Sequence, residues 1–187
     1  MIKNIFSIPI FTSDINCDEI ILDNNNLRSY WPSETLTSYN NNAKINKNSS
    51  LYLLKIIGKE LKNLIKDSFV LHLTNIWENN YLNNDFQENH IHVNSDFSFI
   101  IYKKCEVSKT KFFSPGNYLI ESFYHNKIIN KFFEKEFEPL LTKNNIIIFP
   151  SFLEHMVKKS SNVETISGNI NVYNSDIYLE DNSLLIV

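Results

Sequence analysis

Arginine is almost missing from this chain: Arg28 is the single one among 187 residues. Any anion site built later in the sequence must therefore rely on lysine, hydroxyl or main-chain donors rather than on a bidentate guanidinium. Glycine is also scarce, at three residues, and none forms a phosphate-cradling loop. Two cysteines, Cys17 and Cys105, are too few for a disulfide framework and make no C-x-x-C, so a reduced, cytoplasmic compartment is expected. No run approaches the ~18 apolar residues of a membrane span. The apolar start, Ile5 to Phe11, is short and broken by Pro9, without the flanks of a signal peptide. The net charge of −3 gives no basic field for nucleic acid. No G-x-S-x-G elbow surrounds Ser151, which argues against a serine hydrolase.

The hydrophobic fraction of 43% and charged fraction of 21% are those of an ordinary globular protein. A chain of this length suits one domain, residues 1–187, able to bury roughly 70% of its unfolded surface. The clearest helix spans 50–67, where Leu51, Leu54, Ile57, Leu61, Leu64 and Ile65 keep one apolar face. Ser49 or Ser50 is its expected cap. From Phe69 the period changes to two, which predicts a strand carrying Trp77. His72 within it reads as a sheet histidine. Phe97–Tyr102 and 146–149 are short buried strands. Tyr118–Tyr124 is a further expected strand, and Phe132 to Phe137 a strand or short helix. Residues 23–50 read as a long connection whose Tyr30 and Trp31 anchor it to the core. Residues 4–11 and 183–187 are expected edge strands, and an exposed edge can pair two copies into a homodimer.

Two histidines set two apart share a face of an extended segment. His90 and His92, in Gln87-Glu88-Asn89-His90-Ile91-His92, are thus a ready pair of metal ligands. His155, just past the strand that ends Phe149-Pro150-Ser151, is the best third ligand. Over 163–173, Ile166, Gly168, Ile170 and Val172 fall on one face, and Thr165, Ser167, Asn169 and Asn171 on the other. Such a polar face suits the mouth of a barrel that holds a polar ligand.

Taken in order, Trp77, the H-x-H of His90 and His92, the Phe97–Tyr102 strand, the F-P-S-x-x-x-H run to His155 and the Thr165–Val172 strand resemble the small 2-oxoglutarate/Fe(II) oxygenases of bacteria and phages. The resemblance covers residues 5–11 and 69–173. It implies a mainly β double-stranded β-helix, a cupin-like jelly roll with one or two covering helices, and Fe(II) held by His90, His92 and His155. It also implies 2-oxoglutarate as co-substrate and hydroxylation of a small molecule or a protein side chain. This chain departs from the family at two positions. Histidine stands where the usual iron triad has the aspartate of H-x-D, a replacement that the closest branch of the family shares, with Asp96 and Glu88 as nearby compensating carboxylates. The late-strand arginine of the family falls near Thr165, with Ser167 keeping the hydroxyl of its R-x-S motif. Lys103, Lys104 and Lys158 are the substitute cations, with Tyr102 and Thr165 adding hydroxyl contacts. Two other readings stay open: a three-histidine dioxygenase that needs no 2-oxo acid, and a non-catalytic jelly roll that has lost the co-substrate clamp.

Overall fold

The computed structural model describes residues 7–23, 26–29, 35–40, 43–116, 134–175 and 184–186. Tyr30 and Trp31, the Tyr118–Tyr124 segment and Phe132–Phe133 lie outside them. In chain order the strands begin with β1 (Phe11–Asp14), β2 (Leu22–Asp23), β3 (Arg28–Ser29), β4 (Leu36–Thr37) and β5 (Lys44–Ile45). The helix α1 (Lys47–Leu61) follows, then β6 (Phe69–Tyr81), β7 (Asp85–His90), β8 (Phe97–Lys104), β9 (Thr110–Phe113) and β10 (Glu136–Phe137). The chain closes through β11 (Asn145–Pro150), β12 (His155–Ser160), β13 (Val163–Asn174) and β14 (Leu184–Ile186).

These strands form an antiparallel jelly roll. The major sheet runs β1-β11-β8-β13-β6-β4-β3, with β14 also on β6, and the minor sheet runs β10-β9-β12-β7. The long β6 and β13 pair from Phe69–Asn174 to Tyr81–Val163, with one register shift between Asn169 and Ile170. Strand alternation gives the major sheet two unlike faces. On one face Leu71, Leu73, Phe99, Ile101, Ile146, Ile148, Ile166 and Ile170 pack with Leu53, Leu54, Ile57 and Leu61 of α1. On the other, Ile100, Tyr102, Ile147 and Phe149 meet Phe112 and Leu153. Gly168 belongs to the crowded helix side, because a Cβ there would stand 2.4 Å from the Phe99 ring and 2.6 Å from the Asn75 carbonyl oxygen.

The helix starts earlier than its apolar pattern suggests, because Asn46 and not a serine caps it by accepting from the Ser49 N–H. Ser49 instead ties the helix to the preceding turn: its Oγ donates to the Glu19 carbonyl and accepts from the Ile21 N–H. It also stops at Leu61, where Asn63, Leu64 and Ile65 turn back on the last helical carbonyls. At the amino-terminal end, β1 begins at Phe11 and pairs with β11 as an edge strand, and β14 lies on β6 within the expected carboxy-terminal strand. No helix among the described residues is long and apolar enough to cross a membrane.

Candidate metal centre and its cleft

Three histidines meet between the two sheets. His90 ends β7, and His155 opens β12 directly opposite it in register. His92 lies two residues past β7, where its N–H donates to the Ser151 carbonyl at 2.9 Å and fastens the loop to the F-P-S turn. Their ligand atoms all lie within 4.8 Å of one another, with ring centroids 4.2 Å (His90–His155), 5.1 Å (His92–His155) and 5.3 Å (His90–His92) apart. A small inward movement brings such nitrogens to the roughly 2.0–2.2 Å bonds of a divalent cation.

Hydrogen bonding gives each ring the same free nitrogen. His90 Nδ1 meets the Glu88 carbonyl at 2.7 Å, His155 Nδ1 the Leu153 carbonyl at 3.0 Å, and His92 Nδ1 the Asn169 Oδ1 at 2.6 Å. A carbonyl oxygen only accepts, so each Nδ1 carries the proton and each Nε2 keeps its lone pair. Burial also disfavours the imidazolium forms. It lowers His90, pushes His92 down to about 4, and with the neighbouring His90 holds His155 well below the ordinary value. All three rings are neutral near pH 7, the state in which histidine ligates. Phe149 and Phe112 wall the trio, Phe149 edge-on to His155 at 4.8 Å and Phe112 at 5.7 Å.

The centre opens into a narrow cleft lined by Trp77, Tyr81, Gln87, Tyr102, Lys109, Thr110, Thr165 and Ser167, among others. Its cavity volume of about 10 Å³ has room for a single water. Anything longer enters only as flexible side chains such as Gln87 and Lys109 move. The Tyr102 hydroxyl donates to Thr110 Oγ1 at 2.9 Å, and the Tyr81 hydroxyl reaches Gln87 Oε1 at 3.2 Å. Burial pushes both phenols far up, so both stay protonated. Trp77 stands with its ring 5.6 Å from that of His92, and its buried Nε1–H has no partner among the described residues.

The cleft thus gathers Tyr102, Thr165 and Ser167 with the histidines, but not the lysines named from the sequence. Lys103 follows Ile101 onto the helix-side face, because Tyr102 between them points into the cleft, and it pairs with Glu78 at 2.6 Å. Lys104 is well exposed beside Glu164. Lys158 alternates outward next to Val157 and pairs with Glu138. Lys109, which the sequence reading passed over in a loop, is the cation that lines the cleft, and among the described residues no carboxylate lines it. Lys109 is held there by its own carbonyl, which accepts the Lys158 N–H at 2.9 Å. The one signal for it was its place beside Thr110, at the start of a strand that pairs with the one opened by His155.

The compensating carboxylates also fall elsewhere. Asn94 takes a left-handed conformation, with φ 61°, and provides the turn that would bring Asp96 round. The turn delivers the Asp96 carboxylate to the Val172 N–H at 2.8 Å instead. Glu88 is exposed, and only its carbonyl reaches the site. His72 sits far along β6 beside Tyr173, apart from the trio.

No family model and no curated protein sequence matches this chain. Solved structures do share its fold. The chain is similar to HygX from Streptomyces hygroscopicus, crystallised with nickel, 2-oxoglutarate and hygromycin B, at a TM-score of 0.52 and 8% identity over 90% of this chain and 84% of that one. It is also similar to SnoK, a non-heme alpha ketoglutarate dependent carbocyclase from nogalamycin biosynthesis, at 0.51 and 10% identity over 82% and 76%. The architecture is the jelly roll that these two structures share, the fold that the sequence resemblance implied. At these identities the likeness defines the fold.

Proposed function

We propose that this protein is an Fe(II)- and 2-oxoglutarate-dependent dioxygenase. The observation that carries the reading is the convergence of three neutral imidazoles, each with its Nδ1 pinned to an oxygen and its Nε2 free. His90, His92 and His155 would hold the metal and leave three positions of a six-coordinate site for a chelating 2-oxo acid and dioxygen. When bound, iron with the 2-oxo acid supplies oxygen activation coupled to decarboxylation, and through it oxidation of a C–H bond.

The cleft residues fit the rest of a dicarboxylate. Lys109 offers a point charge to the distal carboxylate, and Thr165 and Ser167 keep hydroxyls at the late strand where an arginine motif would stand. The unpartnered Trp77 Nε1–H is a further donor close to His92. Ile100, Val157 and Val163 add apolar walls, which lower the local dielectric and strengthen polar contacts inside the cleft. Ile91, Val93 and Phe152 stand exposed on the two loops that carry the ligands and favour a substrate with an apolar part, either a small molecule or a protein side chain.

The test is direct. Adding 2-oxoglutarate to the anaerobic Fe(II) protein should produce a weak visible charge-transfer band, and oxygen should then yield succinate; His155→Ala should do neither. Loss of both signals in the wild type at millimolar co-substrate sinks the proposal. Substrate oxidation without any 2-oxo acid would transfer the site to three-histidine dioxygenase chemistry instead, while metal binding without turnover would make it a non-catalytic jelly roll, which the missing late-strand arginine favours.

A further inference from the structure

The second ligand position, where the usual iron triad has a carboxylate, holds a ring whose back nitrogen enters a small buried polar network. Ser98 and Ser151 are fully buried and Asn169 is 6% exposed. Ser95 Oγ donates to Ser151 Oγ at 2.9 Å, Ser151 and Ser98 meet at 2.8 Å, and Ser98 Oγ donates to Asn169 Oδ1 at 3.0 Å. His92 Nδ1 lies 2.6 Å from that same Oδ1 and 2.9 Å from Ser98 Oγ.

Counting protons gives the network a direction. Each serine has one hydroxyl proton. The Ser95 proton goes to Ser151 and the Ser98 proton goes to Asn169, so the Ser151–Ser98 bond uses the proton of Ser151. Asn169 Oδ1 cannot donate, and Ser98 has no second proton to give. His92 Nδ1 must therefore be the donor. Reversing the Asn169 amide would aim its NH₂ at His92 and Ser98, strip Nδ1 of its proton and place it on Nε2.

We propose that Asn169 is the positioning residue that makes histidine serviceable as the second ligand: its Oδ1 takes the Nδ1 proton and leaves the Nε2 lone pair facing His90 and His155. The serine chain, including Ser151 of the F-P-S turn, ends in the Ser98 hydroxyl, which fills the second acceptor site of that oxygen. The same turn's main chain holds the His92 N–H, so one turn fixes both the loop and the ring. This rests on the three-histidine metal site proposed above.

Two measurements test it. Long-range ¹H–¹⁵N NMR of the metal-free wild type should show His92 as the Nδ1–H tautomer; an Nε2–H ring overturns the proposal with no metal involved. Anaerobic Co(II) titration should show Asn169→Leu binding 10- to 100-fold more weakly than wild type, the usual cost of losing a ligand's outer partner. Asn169→Asp, which keeps an acceptor, should bind at least as tightly as wild type. Asn169→Leu binding within twofold of wild type, or Asn169→Asp binding as weakly as Asn169→Leu, would overturn the assignment. A wild type that binds no stoichiometric Co(II) would sink the metal reading itself, while the tautomer measurement would still decide the role of Asn169. If Asn169→Leu does not fold, the wild-type spectrum and Asn169→Asp carry the test.

Discussion

The two faces of the major sheet come from the same strands and share almost no chemistry. Towards α1, β6, β8, β11 and β13 present Leu, Ile and Phe side chains that are nearly all fully buried. Towards the minor sheet, the intervening positions present Trp77, Asn79, Tyr81, Ser98, Tyr102, Thr165, Ser167 and Asn169, most of them also buried but hydrogen-bonded to one another. Buried polar groups contribute little net stability and are costly when left unpaired. The division teaches that the larger apolar core lies on the helix side, and that the cleft side joins a smaller apolar cluster to an ordered polar surface whose geometry suits binding. Changes on the first face should therefore alter stability without altering binding, and changes on the second should alter binding.

The largest effect is expected on the helix side. Leu54→Ala empties a fully buried position of the core and should cost about 2–5 kcal/mol by denaturant unfolding. The folded fraction should still bind Co(II) as tightly as wild type. A loss of Co(II) affinity in that fraction would show that the two faces are coupled.

Acid should act on the cleft side. His92 is lowered from 6.5 to about 4 by burial. Between those values the unfolded chain takes up a proton that the folded chain refuses, so the associated stability is fully present above pH 6.5 and is lost as pH falls towards 4. For His92 alone the loss reaches about 3 kcal/mol, and His90 and His155 shift in the same direction. Metal-free wild type should thus unfold in progressively less denaturant through this window, and His92→Phe should flatten the slope. A profile that stays level down to pH 4.5 would contradict the burial of the trio.

Lys109→Met should weaken 2-oxoglutarate binding tenfold to a hundredfold, or ~1.5–3 kcal/mol, with Co(II) affinity unchanged. Lys158→Met should change neither quantity, because Lys158 is turned away from the cleft and paired with Glu138. Equal losses in the two variants would overturn the assignment of the co-substrate's cation to Lys109.

The contrast between those two lysines also shows how much was legible in the chain. Period-two alternation placed Thr165, Ser167 and Asn169 together on the polar side and Ile166 and Ile170 on the apolar side, and the structure keeps that division across the register shift after Asn169. The spacing of His90 and His92 and the strand before His155 were enough to anticipate three rings drawn together. The same alternation, applied to β8, would have sent Lys103 away once Tyr102 was taken as inward. Lys109 had no such signal, since it precedes a four-residue strand and its direction depends on the pairing of β9 with β12. Asp96 compensates nothing at the centre, because its carboxylate accepts the Val172 N–H on β13, a main-chain partner that the sequence does not disclose.

The smallest expected effect returns to the helix side and is the most specific. Asn46 accepts the Ser49 N–H at 2.9 Å, satisfying one of the otherwise free amides at the start of α1. Asn46→Ala should cost about 1 kcal/mol, while Asn46→Asp should preserve the cap and place a negative charge at the positive end of the helix. Unfolding curves of the two variants should separate by roughly that amount, with Asp at or above wild type. Ser50 provides the internal control. It was an expected cap, but its Oγ makes no hydrogen bond among the described residues, so Ser50→Ala should be neutral or slightly stabilising. If Ser50→Ala is instead the destabilising change and Asn46→Ala is silent, the helix begins four residues later than the structure places it.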